Sequence, residues 1–409
     1  MEHAMRRTAL PVLLLLPTLA FAAQPRPTPA EFANDAVIVD THIDAPSELL
    51  KSWRDLCNET PDREFDAEKA HRGGLDVAFM SIYTSPEEDT AGTARQKAHM
   101  EIDAVEAMTA RCSSEFAKIT EPGDYLRLQE QGHRVLLALG MENGAPIGDD
   151  LSQLQVFHDR GVRYITLAHS HSNRIADGSY SLDRPWHGLS PFGEKVVAEM
   201  NRLGIMVDVS HLSDESVEDV LRVTKTPVIA SHSGLRHFTP DFERNLSDAL
   251  AKKIAKAGGV VQITFGSGFI DARAAADTTA YFRELAKFQH AQNEAKARGE
   301  AVQSFEDWDA AWDKSHPKYA TKLSQVVDQI DYAIKLIGED HVGIGSDFDG
   351  VSGALPEGLR SIADYPNLIQ ALRDRGYSDA TIRKVLGGNL MRVWKDVDMA
   401  GAKLRGEMR

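Results

Sequence analysis

The chain has 409 residues, of which 42% are hydrophobic and 26% are charged, a balance typical of a folded globular protein and unlike that of a disordered or fibrous chain. Its formal net charge is −15, and it contains no long run of Lys and Arg. These features argue against a nucleic-acid-binding surface, which is usually basic; the acidic balance by itself identifies no substrate.

The N-terminal residues have the pattern of a secretory signal peptide. Arg6 and Arg7 precede an apolar run over residues 9–20, and Ala20-Phe21-Ala22 has the small residues of a cleavage site, so we expect a signal over residues 1–22. The run is short for a membrane span, which needs about 20 residues, and no Cys follows it to accept a lipid. We therefore expect a periplasmic or secreted protein.

Cys57 and Cys112 are the two cysteines of the chain. An oxidising compartment permits a disulfide between them. Two buried free thiols fit the sequence equally well.

Short apolar, β-branched runs alternate along the mature chain with segments of helical pattern. Strands that are apolar on nearly every residue are buried on both faces, as in a parallel sheet covered by helices. The predicted strands are 36–40, 77–83, 134–139, 163–167, 204–209, 227–230, 260–264 and 342–345, and the predicted helices include 91–110, 191–203, 214–223 and 248–257. We therefore predict that residues 23–409 form a single (β/α)8 TIM-type barrel, with a doubly wound open sheet as the alternative.

Residues 270–322, between the seventh and eighth predicted strands, depart from this alternation. The segment is charged, rich in Ala and helical in pattern, and Trp308 and Trp312 are spaced as neighbours on one helix face. We expect a solvated helical insertion packed on the barrel, and favour this over a lid or a subunit contact.

Residues that can bind a metal or carry a proton follow six of the predicted strands. In a (β/α)8 barrel the chemistry takes place at the carboxyl ends of the strands. At a single position, a His bonded to a loop carbonyl or an Asp capping a helix is the simpler explanation, but six coincident strand ends indicate a common site. The residues are His42 and Asp44, whose i and i+2 side chains share one side of an extended chain, then Glu142, His169, His211, His232 and Asp347.

The ligand types indicate which metal this site would bind. Three imidazoles and two carboxylates, with no thiolate, suit Zn²⁺ or a similar first-row ion better than Ca²⁺ or Mg²⁺. A catalytic zinc usually has three protein ligands and a water, so we assign two ions bridged by Glu142, one with His42 and Asp44 and the other with His211 and His232. Two ions about 4 Å apart would hold a bridging hydroxide, which is the arrangement of a hydrolase.

The motifs "DTHIDAP", "TLAHSHSN", "DVSHLS", "SHSG...RN" and "IGSDFDG" occur in this order over nearly the whole mature chain. Together they resemble the membrane (renal) dipeptidase family of the amidohydrolase superfamily, and the resemblance agrees with the metal assignment above. It further implies that His169 contacts the substrate and polarises the scissile carbonyl, that Asp347 is the acid/base, and that Arg244, in "FERNLSD", binds the substrate carboxylate.

The resemblance implies zinc-dependent hydrolysis of dipeptides, L-Xaa-L-Xaa and L-Xaa-D-Xaa, by attack of the metal-bridging hydroxide. Three positions depart from the family pattern: Ile43 stands where Asn is common, Ala168 where Thr is common, and Met141 precedes the bridging glutamate. These departures leave the side-chain preference open.

Two alternatives remain at this point. A related dinuclear amidohydrolase acting on N-acyl amino acids or cyclic amides would use the same metals, although the fourth strand lacks the terminal Lys that members with a carbamylated lysine need. A non-catalytic exported protein that binds peptide or metal is the second, and Asp347 argues against it because binding gains little from such a carboxylate. We expect a small dipeptide as partner, no nucleic acid and no membrane span; a homodimer is compatible with the sequence.

Overall fold

The computed structural model describes residues 26–132, 134–316 and 319–407, so the signal peptide expected over residues 1–22 lies outside the described residues. The described strands form one sheet, in which every strand pairing is parallel. They are β1 Val39–Ile43, β2 Val77–Tyr83, β3 Phe116–Lys118, β4 Val135–Glu142, β5 Val162–Thr166, β6 Met206–Asp208, β7 Ile229–Ser233, β8 Val260–Ile263 and β9 Val342–Ile344.

Eight of these strands form a nearly closed barrel in the order β1-β2-β4-β5-β6-β7-β8-β9, and β3 pairs with β4 outside this path. The two ends of the sheet meet through backbone hydrogen bonds. The Asp347 N–H donates to the His42 carbonyl over 3.1 Å, and the Asp44 N–H donates to the Phe348 carbonyl over 2.9 Å. The prediction of a TIM-type α/β barrel is thus confirmed, and the open sheet is excluded.

Helices cover the outside of the barrel. They are α1 Pro29–Asp35, α2 Ala45–Lys51, α3 Ala67–Gly73, α4 Pro86–Ala91, α5 Ala94–Arg111, α6 Tyr125–Gln129, α7 Ser152–Asp159, α8 Pro191–Leu203, α9 Asp214–Val223, α10 Asp248–Lys256, α11 Ser267–Ile270, α12 Ala272–Ala297, α13 Phe305–Ser315, α14 Leu323–Ile337, α15 Tyr365–Asp374, α16 Asp379–Arg383 and α17 Asn389–Leu404. Helices α11 to α13 lie between β8 and β9, the seventh and eighth barrel strands, where the insertion was expected. Among the described helices, none combines the length and apolar character that crossing a membrane requires.

Alternate residues of the strands build two separate apolar layers. Side chains such as Val77 and Phe79 of β2 point into the barrel, where they pack with Trp394 of α17. Their neighbours Ala78 and Met80 point outward and pack beneath the helices. Because α17 fills one end of the barrel, the functional groups are confined to the other end, where the strands finish.

Three strands, β1, β4 and β7, each end three residues further along the chain than predicted. The prediction placed the first strand at 36–40 and the sixth at 227–230, but β1 and β7 extend to Ile43 and Ser233 and include polar residues. A strand predicted from hydropathy ends at the first polar residues, but this barrel buries such residues within its strands. Thr41, for example, donates a hydrogen bond of 2.5 Å to the Ser231 carbonyl. His42 and His232 therefore lie within strands.

The structure resolves the alternatives for the two cysteines. Cys57 and Cys112 form a disulfide with their Cα atoms 5.4 Å apart, within the usual range of about 4.4–6.8 Å. It joins the loop before α3 to the end of α5.

Candidate metal centre and substrate site

All seven residues predicted at strand ends lie at one mouth of the barrel. Glu142 is the last residue of β4, and Asp44 directly follows β1. His169, His211 and Asp347 lie in the loops that follow β5, β6 and β9, with His42 in β1 and His232 in β7. Asp44 occupies the N-cap position of α2 but makes no capping hydrogen bond with its side chain, so its carboxylate is available to the site.

Glu142 lies at the centre of the cluster, and its two carboxylate oxygens face different partners. Oε2 is 3.4 Å from His42 Nε2, which is also 3.5 Å from Asp44 Oδ2. Oε1 is 3.0 Å from His211 Nε2 and 3.3 Å from His232 Nε2. The two oxygens therefore face different imidazoles, although the rings of His42 and His232 also stack on each other with centroids 3.7 Å apart.

His169 lies on the same side as the second group. Its Nε2 is 3.5 Å from Glu142 Oε1, and its ring packs against that of His211 with centroids 4.1 Å apart. His169 therefore belongs to the same cluster as Glu142 and His211.

Two hydrogen bonds behind the cluster orient its imidazoles. Tyr164 Oη is 2.8 Å from His42 Nδ1, and Ser231 Oγ is 2.8 Å from His232 Nδ1. Partners of this kind hold the ligating nitrogen of a metal-bound His toward the ion. Neither partner was predicted from the sequence: Ser231 is adjacent to a recognised His, but the contact of Tyr164 depends on the barrel interior.

Burial controls the charge of the imidazoles. Desolvation lowers the pKa of His211 and His232 well below the usual value, which favours the neutral form that metals bind. Burial also acts to lower the pKa of His42, but its interactions with the phenol of Tyr164 and with the carboxylates of Asp44 and Glu142 outweigh burial and raise that pKa well above normal. The difference reflects the two carboxylates beside His42 Nε2, a position that attracts a cation, proton or metal.

The donor set fits a pair of metal ions. Three groups of potential ligand atoms, each within 4.8 Å of one another, can be drawn from the cluster: His42, Glu142 and His232; Glu142, His169 and His211; and His42, Asp44 and Asp347. His42 Nε2 is buried without a hydrogen-bond partner among the described residues, and a buried polar atom of this kind costs free energy unless something binds it. This buried His/Glu cluster is consistent with a dinuclear metal site.

Asp347 is placed beside the cluster by an unusual backbone conformation. Its φ of 65° is in the left-handed region that Asp and Asn tolerate better than most residues. Burial, followed by the charge of Asp44, raises the pKa of Asp347 well above its usual value. Gly350 permits this arrangement, since a Cβ there would lie 2.4 Å from Asp347 Oδ1 and 2.2 Å from Asp44 Oδ2.

Arg244 brings a buried positive charge to the same mouth. Its side chain donates to Ser233 Oγ over 3.0 Å and to the His232 carbonyl over 2.8 Å, but it has no ion-pair partner among the described residues. Its Nε is buried without a hydrogen-bond partner there, and burial lowers its pKa. An unpaired buried charge is costly, so the geometry favours an anionic group of a ligand as its partner.

The chain is similar to known dipeptidases along nearly its whole length. The family model for membrane dipeptidase (peptidase family M19) matches residues 29–407. An uncharacterised dipeptidase of Schizosaccharomyces pombe is 30% identical over 395 residues, which cover 91% of this chain and 83% of the yeast protein.

Solved structures show the same fold. The probable dipeptidase PvdM from Pseudomonas aeruginosa superposes with a TM-score of 0.78 at 28% identity, covering 91% of this chain and 98% of that one. A metallopeptidase from Rhodobacter sphaeroides, liganded with a phosphinate mimic of the dipeptide L-Ala-D-Ala, gives a TM-score of 0.71 at 24% identity and covers 88% of this chain and 99% of that one.

Proposed function

Because the chain belongs to the membrane dipeptidase family, peptidase family M19, and is a metallo-dipeptidase, we propose that it hydrolyses the peptide bond of free dipeptides with two zinc ions. The observation that carries the proposal is the position of Arg244, whose Nη2 donates to the backbone carbonyl of the ligand residue His232 over 2.8 Å. A buried guanidinium that has no carboxylate partner among the described residues, and that contacts the backbone of His232, suits the C-terminal carboxylate of a very short peptide.

The cluster residues would hold the two ions. In the proposal His42 and Asp44 bind one ion, His211 and His232 bind the other, and Glu142 binds both. When bound, two zinc ions polarise the scissile carbonyl and supply a water of lowered pKa as nucleophile.

The remaining residues bind and orient the substrate and move the proton. Arg244 holds the C-terminal carboxylate, which sets the peptide bond at a fixed distance from the cluster. His169, which burial keeps neutral by lowering its pKa, donates a hydrogen bond from Nε2 to the carbonyl oxygen as that oxygen gains charge. Asp347 accepts a proton from the attacking water and delivers it to the departing amine, a role supported by its position beside His42 and Asp44.

Both L-Xaa-L-Xaa and L-Xaa-D-Xaa dipeptides are proposed as substrates. The dipeptide mimic bound to the structurally similar Rhodobacter sphaeroides enzyme has an L-Ala-D-Ala sequence, and supports inclusion of the D-configured second residue. The family resemblance of the motifs gives the same expectation.

The test combines metal analysis of the purified protein with a substrate panel. Elemental mass spectrometry should find two zinc ions per chain, and the protein should turn over L,L- and L,D-dipeptides but not N-acyl amino acids or cyclic amides. Turnover restricted to N-acyl or cyclic substrates would assign the chain to the related amidohydrolase activity, and metal binding without any turnover would make it a binding protein.

We also propose that the mature protein is exported. The signal-like pattern before residue 23 supports this location, as does the disulfide between Cys57 and Cys112, because disulfides persist mainly in oxidising compartments. Cell fractionation checks it: recovery of the oxidised, processed protein from the cytoplasm would contradict the proposal.

A further inference from the structure

A cavity of about 190 Å³ opens directly beside Arg244. Its walls come from three parts of the chain: the loop between β5 and α8 supplies Tyr180 and Leu182, the loop between β7 and α10 supplies Phe242, and helix α12 of the insertion supplies Thr279 and Phe282. Pockets for drug-sized ligands measure about 300–1,000 Å³, so this cavity is of a size for a single side chain.

Tyr180 connects the insertion to the metal cluster. Phe282 stacks on it with ring centroids 4.0 Å apart and an interplanar angle of 23°. Tyr180 in turn presents its ring to His211 in an edge-on contact at 6.4 Å, and the preceding Ser179 N–H donates to the His211 carbonyl over 2.7 Å. Helix α12 thus fixes a ring that packs next to a proposed metal ligand.

The cavity has both charged and aromatic walls. Arg184 pairs with Glu243, with Nη1 and Oε1 3.0 Å apart, and also donates to the Ser179 carbonyl over 2.8 Å. Arg283 and Asp241 are exposed and have opposite charges. The interior face is formed by the rings of Tyr180, Phe242 and Phe282, and aromatic groups pack favourably against such rings beyond the effect of buried area.

We infer that helix α12, through Phe282 and the Tyr180 ring that it holds, forms the subsite for the side chain of the C-terminal residue of the substrate and selects an apolar, preferably aromatic, side chain. The inference rests on the proposed function, because it is the carboxylate held by Arg244 that places the C-terminal Cα at the entrance of this cavity. The charged, helical pattern of the insertion predicted a solvated helical excursion, and the inferred subsite adds a role in substrate specificity.

The test compares two Phe→Ala variants of the same helix. Phe282→Ala removes the wall of the cavity, whereas Phe288→Ala is the matched control, since Phe288 stacks on Trp308 at 5.2 Å within the insertion and does not line the cavity. The substrates are L-Ala-L-Phe, L-Ala-Gly and L-Ala-L-Glu. Wild-type protein should prefer L-Ala-L-Phe, and Phe282→Ala should lower kcat/KM for that substrate about 10-fold while changing that for L-Ala-Gly less than about 2-fold.

The control variant should keep the wild-type ratio between substrates. Phe282→Leu, which keeps the bulk but not the stacking, should lie between wild type and Phe282→Ala and guards against misfolding of the Ala variant. A wild-type preference for L-Ala-L-Glu, or an unchanged ratio in Phe282→Ala, would overturn the inference while leaving the dipeptidase proposal intact. Absence of turnover on every dipeptide by wild-type protein would overturn both.

Discussion

The phenol oxygen of Tyr164 lies 2.8 Å from Nδ1 of His42, on the opposite side of the imidazole from Glu142. The ring of Tyr164 fits there because β4 has Gly140 at the facing position, where a Cβ would lie 1.9 Å from Tyr164 Cζ. With Nε2 directed at a metal ion, Nδ1 carries the proton, and the Nδ1–H donates a hydrogen bond to the phenol oxygen. Tyr164 therefore fixes both the orientation and the tautomer of His42.

We expect Tyr164→Phe to weaken metal binding by about 10- to 100-fold, the usual effect of losing a partner behind a ligating His. Competition with a chelator at fixed pH measures the change. Tyr377→Phe is the control, because the Tyr377 hydroxyl lies away from the site and donates a hydrogen bond of 2.7 Å to Asp331. Equal affinities in the two variants would show that Tyr164 does not support the ligand.

Glu142→Gln should lose both metal ions and activity together. Its two oxygens face different groups, Oε2 at 3.4 Å from His42 and Oε1 at 3.0 Å from His211, so one substitution disturbs both sites. Elemental analysis of the purified variant is the measurement. Two ions per chain after the exchange would contradict the bridging assignment.

Arg244→Ala should weaken transition-state binding of dipeptides by about 2–4 kcal/mol, the effect of removing a charge-assisted pair from a buried site. Wild-type protein should cleave dipeptides but neither tripeptides nor C-terminal amides, because a longer or neutral C-terminus cannot place a carboxylate at the guanidinium. Arg244→Lys, which keeps the charge but not the two-pronged geometry, should be intermediate in kcat/KM. Equal rates on dipeptides and tripeptides would remove this role.

Asp347→Asn should retain both metals while kcat falls by about 10²- to 10⁴-fold, the usual contribution of a positioned general acid–base. Asn tolerates the φ of 65° at this position and keeps the shape of the side chain, but it cannot carry the proton. Loss of a metal in the variant would make Asp347 a ligand, in line with its place near His42 and Asp44, and unchanged turnover would exclude it from the reaction.

Glu101 of α5 should make stability depend on pH. Its carboxylate is fully buried with no hydrogen bond to either oxygen among the described residues, and its nearest cation, Lys97 Nζ, is 3.5 Å away. Burial raises the pKa of Glu101 well above the usual value. Below the pKa that Glu101 has in the unfolded chain, the carboxyl is protonated in both the folded and the unfolded state, and the folded protein has its full stability. That stability is lost as the pH rises through the pKa of Glu101 in the folded state.

We therefore expect Glu101→Gln to raise the free energy of unfolding by about 1 kcal/mol at pH 8, the cost of a buried unsatisfied group. This gain in stability should disappear as the pH falls to the pKa of a free glutamate carboxyl. Urea titrations at several pH values measure it. Glu284→Gln, on a half-exposed glutamate paired with Lys287, should show no such trend. A gain that is constant with pH would rule out ionisation as its cause.

The sequence by itself determined a parallel α/β fold and the His, Glu and Asp residues that follow its strands. Apolar runs of strand length, separated by helical segments, report burial on both faces and so predict a parallel barrel. Glu142 and the four histidines follow or end those runs, and in such a barrel the strand ends converge whatever the loops do. The ligand types, too, are visible in the sequence because they are a property of the residues themselves.

Only the tertiary structure decided which atoms meet. The contact of Tyr164 with His42 needs the register of β4 and β5 and the gap at Gly140. The pairing of Cys57 with Cys112 needs two distant segments to approach each other. The three-residue strand β3 is too short to show a hydrophobic period in the sequence. The stacking of Phe282 on Tyr180 joins residues that are separated by a hundred positions. The hydropathy of a residue indicates whether it is buried, but not which residue of another strand or helix it contacts. Those contacts are set by the packing of the whole barrel.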